Sequence, residues 1–157
     1  MARNPFAPPG AEVADPVSQQ LPVPPQVKLA CQMIIATLVV GIITLFPGVR
    51  EPAAGDAEVP FLFTLVLVVV FGGLTLLLAS RILQGRNWAR WAMLVYLGAG
   101  WALAGPSLAD DFYLSPIAAI IDAISIPVEA VACWMLFTGA GAQWFAALAA
   151  GRTRNGR

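Results

Sequence analysis

A chain of 157 residues with 59% hydrophobic and only 11% charged residues, at a mean hydropathy of +0.76, lies outside the soluble range, where about a quarter of residues are charged. The absence of histidine removes the commonest general base and metal or haem ligand, and two cysteines, Cys31 and Cys133, make neither a disulfide framework nor a zinc cluster. A net charge of zero without a basic stripe excludes nucleic-acid binding. What remains is an all-α integral membrane protein, with no cofactor, no metal and no catalytic centre expected.

Residues 1–26 hold seven of the thirteen prolines (Pro5, Pro8, Pro9, Pro16, Pro22, Pro24, Pro25) and show no hydrophobic periodicity. Such a stretch favours extended, polyproline-like conformers and buries no core, so a disordered cytoplasmic tail is expected. Four apolar segments follow: 27–46, 60–80, 88–108 and 114–138. Each matches the roughly 20 residues that a helix needs to cross a bilayer. Together they predict a four-helix antiparallel transmembrane domain over 27–138. Residues 139–157, with Trp144 and Phe145 ahead of a basic end, suit a helix at the cytoplasmic headgroups.

Charge predicts the direction. Arg3, Lys28, Arg81, Arg86, Arg90, Arg152, Arg154 and Arg157 fall on one side, eight of nine basic residues. The opposite loops, 47–59 and 109–113, hold Arg50 with Glu51, Asp56, Glu58, Asp110 and Asp111. Basic residues of short loops stay in the cytoplasm, so both termini are expected inside. In the loop "GRNWARW", Gly85 permits a turn and Asn87 is placed to cap the next helix. Arg86 and Arg90, four apart, are expected to face lipid phosphates together, with Trp88, Trp91 and the later Trp144 as interface anchors.

Three stretches also carry a resemblance. "NPFAPPGAEVADP" (Asn4–Pro16) resembles the Asn-Pro-aromatic-x-Pro-Pro leader of small bacterial inner-membrane proteins, and "GRNWARW" (Gly85–Trp91) and "AQWF" (Ala142–Phe145) look like signatures of the same four-helix proteins. The last motif departs from the usual Ser-Arg-x-Trp-Phe, with Gly141, Ala142 and Gln143 standing there instead. The resemblance implies a bacterial inner membrane as the location and brings no activity with it.

Helices in lipid meet through small residues. Gly41, the Gly72–Gly73 pair, Gly98 with Ala102 and Gly100 with Ala104 are the expected points of close approach, within one chain or in a homodimer. The fourth segment adds two acids, Asp122 and Glu129, around a helix breaker, Pro127. Seven residues turn a helix through about 700°, so the two acids share a face within roughly 20° and lie about 10 Å apart. Ser115, Ala118, Ala119, Ser125 and Cys133 fall on or beside that stripe. Counting inward from the cytoplasmic end puts Thr37 at the depth of Glu129 and Thr44 at that of Asp122. Thr37 and Thr44 are themselves seven apart, so the first and fourth helices are expected to pack. Thr75 and Tyr96 come near the Glu129 level. Pro127 removes an amide donor opposite the Ala123 carbonyl.

Two functions fit. Asp122, Glu129, Thr37, Thr44 and Pro127 are a proton or cation site in a small transporter, or the acids are interhelical hydrogen-bond ties in a structural or accessory subunit. Beyond the lipid bilayer, the expected partner is another membrane protein or a second copy of the chain.

Overall fold

The computed structural model describes residues 21–45, 61–106, 108, 112–113 and 115–155, with side chains described as far as Gly151. The expectations for residues 1–20, for the loop 47–59, for Asp110 and Asp111 and for Arg157 lie outside them. Among the described residues there are five helices and no strand: α1 (Pro25–Ile43), α2 (Phe61–Leu83), α3 (Asn87–Ala104), α4 (Pro116–Phe137) and α5 (Gly139–Asn155).

The helix boundaries follow from proline and glycine. Pro25 and Pro116 open α1 and α4, where the missing amide costs nothing and φ is already helical. The helix thus reaches two residues into the stretch expected to be a disordered tail. Between α2 and α3, Gly85 turns the chain with φ +73°, a left-handed conformation that glycine adopts without steric cost. Arg86 is the N-cap of α3 and no side chain caps the helix there. Asn87, expected as the cap, is instead the first helical residue. Thr138, extended at φ −124° and ψ 165°, separates α4 from α5.

Three of these helices, α1, α2 and α4, are long and apolar enough to cross a membrane, with mean hydropathies of 1.9, 2.8 and 1.8. That supports a membrane protein. α3 falls outside the group: Asn87, Arg90 and three tryptophans in its 18 residues dilute its apolar character.

α1 packs along α4 and also against α2, while α3 packs on α2 and α4. The dense core sits at one end of the molecule, the end holding the α2–α3 turn. Ala30, Cys31 and Ile34 of α1 meet Leu78 and Ile82 of α2, Ala89 and Met93 of α3, and Ala132, Cys133 and Leu136 of α4 there. α5 folds back over this end, burying Trp144 and Phe145. Toward the other end side chains turn outward: Phe61, Leu62, Val69, Val95, Leu103 and Ile117 are exposed. A smaller buried patch of Thr44, Ser115, Ala118 and Ala119 lies there.

Within the single chain, several of the small residues expected at close approaches meet no neighbour. A Cβ built on Gly41, Gly73, Gly98 or Gly100 meets nothing within 4 Å, and on Gly72 only the Leu38 methyls at 3.8 Å or beyond. Tight approaches occur at Gly85, where a Cβ would run into a Leu148 methyl, and at Gly141, where it would stand 2.6 Å from the Met135 carbonyl oxygen. Small residues mark contact only where a neighbouring helix passes, and along α3 their outward face has none.

Candidate functional site: a carboxyl shared by three helices

Glu129 projects from α4 between α1 and α3. Thr37 Oγ1 on α1 lies within hydrogen-bond distance of Glu129 Oε1, at 2.9 Å, and the Trp101 indole nitrogen on α3 donates to Glu129 Oε2 at 2.8 Å. Thr37 Oγ1 is also 2.9 Å from the Ile34 carbonyl one turn back. One carboxyl therefore links three helices through both of its oxygens.

The seven-residue spacing of the threonines and of the acids sets this register, so the Thr37–Glu129 contact follows from the depth count. Trp101 does not follow from it, because a depth count pairs residues by position and takes no account of the reach of an aromatic side chain. Its signal was an indole N–H deep in an apolar helix, which needs an acceptor. Side chains on a helix lean toward the helix N-terminus. Trp101 therefore reaches back along α3 toward the turn end, where Glu129 lies.

The other site residues are placed as follows. Asp122 is half-buried on the same helix as Glu129. Thr44 is 3% exposed and donates to the Gly41 carbonyl at 2.7 Å. Pro127 stays inside an uninterrupted α4 and is exposed, about 200° around the helix from Glu129. Thr75 and Tyr96 do meet: Thr75 Oγ1 lies 3.2 Å from the Tyr96 hydroxyl and 2.9 Å from the Phe71 carbonyl, to which Tyr96 also donates at 3.3 Å. They tie α2 to α3 and do not bond to Glu129.

Two expected interface anchors turn inward. Trp144 is 7% exposed, stacks edge-on to Phe145 and donates its indole N–H to the Leu21 carbonyl at 3.2 Å. Arg90 does not stand beside Arg86 facing outward. Its guanidinium lies 4.9 Å from the Phe137 ring centre and 4.8 Å from that of Phe145, and donates to the Leu136 carbonyl at 3.4 Å. A cation over aromatic faces, at the negative end of α4, is favoured twice over. Trp88 and Trp91 remain half-exposed, at 52% and 53%, and Arg86 is exposed on the turn.

Gln26 was read as part of the proline-rich tail, yet it fastens the α4–α5 junction. Its amide nitrogen donates to the Met135 carbonyl at 2.9 Å and the Thr138 carbonyl at 3.2 Å, while its amide oxygen accepts from the Ala140 N–H at 3.1 Å. A single planar amide thereby satisfies a last-turn carbonyl and the cap carbonyl of one helix and a first-turn donor of the next.

Cys31 and Cys133 are both free and buried. We expect no gel shift on reducing freshly extracted protein, and maleimide labelling of both thiols only after denaturation. Rapid labelling in the folded state would contradict the packing.

Two clefts border the Glu129 node. One, of about 290 Å³, lies between α3 and α4 and is lined by Leu94, Trp101, Cys133 and Trp134. The other, of about 310 Å³, lies between α1 and α4 beside Thr37, Val40, Ile121 and Ser125. No protein-family model matches the chain, and no curated protein and no solved structure matches it either.

Proposed function

We propose that this chain is an integral protein of a bacterial inner membrane, crossing it four times as an antiparallel bundle with both termini in the cytoplasm. We propose further that it serves as a structural or accessory subunit rather than as an enzyme. The observation that supports the role is the engagement of both Glu129 oxygens by side chains of the same chain. A carboxyl that ties α1, α3 and α4 acts first as a structural clasp. Acids within a membrane normally face the protein interior and find partners there. The bacterial location rests on the resemblance of the leader and loop motifs, and the orientation on the charge asymmetry.

A second reading has one observation in its favour. The cleft between α1 and α4 opens beside Thr37 and Ser125, bringing open space to the side chain that touches Glu129. In that reading the protein is a small proton- or cation-coupled transporter, and Glu129 releases what it binds.

Purification from native membranes separates the two. The accessory role predicts a partner that co-purifies at fixed stoichiometry. Proton uptake into liposomes by the isolated protein, abolished by Glu129→Gln, would overturn that role. Orientation is tested with reporter fusions: alkaline phosphatase is expected to be active after Gly55 or Asp111 and inactive after Gln84 or Arg157. Activity after Gln84 would reverse the topology.

A further inference from the structure

We infer that Glu129 holds a proton and donates it to Thr37, so that the node is a one-proton binding site built from neutral groups. The inference deepens the clasp reading and rests on its placing of Glu129 within the membrane.

The argument is a proton count. Thr37 Oγ1 has two oxygen neighbours at the same 2.9 Å, the Ile34 carbonyl and Glu129 Oε1. A threonine hydroxyl carries one hydrogen and donates once. The Ile34 carbonyl has no hydrogen to give. If Glu129 were an ionised acceptor, the single Thr37 hydrogen would have to serve both contacts. With a proton on Oε1 both contacts are satisfied: Glu129 donates to Thr37, and Thr37 donates to Ile34. Glu129 Oε2, still a carbonyl oxygen, accepts from the Trp101 indole at 2.8 Å. Hydrogen positions follow from completing such a network, and a proton on Glu129 gives each of these contacts its own hydrogen.

Charge points the same way. Both hydrogen-bond partners of Glu129 among the described residues, Thr37 and Trp101, are neutral. The titratable or charged side chains of the elements packed against it are Lys28 and Cys31 on α1, Arg90 and Tyr96 on α3, and Asp122 and Cys133 on α4 itself. Arg90 is engaged with the Leu136 carbonyl and two phenyl rings, and Tyr96 with α2. A lone carboxylate in such surroundings is costly, whereas a hydrogen-bonded neutral acid is not.

Infrared spectroscopy of the full-length protein in phospholipid nanodiscs tests this at neutral pH. Subtracting the Glu129→Gln spectrum from the wild-type spectrum should leave one carboxylic-acid carbonyl band. Trp101→Phe should move that band to higher frequency, because the carbonyl oxygen loses its donor. A difference spectrum containing only carboxylate stretches would overturn the proposal. Should Glu129→Gln misfold, titration of the Asp122→Asn protein serves instead. The acid band must then be present at neutral pH and convert to carboxylate on alkalinisation, and its absence at neutral pH would be equally decisive. A partner that fails to co-purify while the band is present would sink the accessory role and leave the bound proton standing.

Discussion

Glu129→Leu should be among the most destabilising single substitutions in the membrane-embedded part of the chain. It removes two interhelical hydrogen bonds, each worth on the order of 0.6 to 2 kcal/mol in a membrane, and leaves the Trp101 N–H without its acceptor. The expected loss is about 1 to 4 kcal/mol in reversible detergent unfolding. Glu129→Gln should cost little. Its amide oxygen accepts from Trp101 and its NH₂ donates to Thr37, the same pattern that the protonated acid presents. The contrast between the two variants carries the weight here. Equal losses for leucine and glutamine would mean that shape or charge, and not hydrogen bonding, fixes the node. A double-mutant cycle with Trp101→Phe gives a second check: contacting residues couple by about 0.5 to 3 kcal/mol. Strict additivity would remove Trp101 from the clasp.

Gly141→Ala is expected to be comparably severe for a different reason. A Cβ at this position would stand 2.6 Å from the Met135 carbonyl oxygen and 3.3 Å from that of Leu136. Both obstacles are backbone, so no rotamer change relieves them. Overpacking of this kind costs about 1–3 kcal/mol. The strain falls at the junction that Gln26 fastens, so protease cleavage between α4 and α5 should accelerate. Ala146→Gly, at an exposed position on the same helix, controls for the loss or gain of helix propensity. An unchanged cleavage rate in Gly141→Ala would show that the junction tolerates a shift. Glycine at position 141 thus has a steric reason.

How much of this was legible beforehand depends on periodicity. The pairing of α1 with α4 could be read because Thr37 and Thr44 repeat the seven-residue spacing of Asp122 and Glu129, and a shared period fixes a shared face. Trp101 could not be placed so, because its contact depends on the lean and length of an aromatic side chain rather than on spacing. Arg90 and Trp144 were read by the habit of their residue types at membrane ends. In the structure the C-terminal carbonyls of α4 and the rings of Phe137 and Phe145 offer Arg90 a better place than solvent. Gln26 was hidden by composition: one amide in a run of prolines has no periodic partner, and its partners lie more than a hundred positions away. The glycines of α3 show the pattern for contact without a contact inside the single chain.

The Gln26 contacts also say something about order in time. They join residues 109 to 114 positions apart, so α1 is synthesised long before the chain that it fastens. Loop closure over such a separation comes late in folding. The Gln26 amide has no partner at the α4–α5 junction until α2, α3 and α4 have been made. Only when Ala140 emerges can the first helix lock the last. Synthesis that stops at Phe137 would yield every candidate span and no lock, and such a product should be short-lived in the cell. The completed molecule carries, in one glutamine, a record that its own translation has passed the fourth helix.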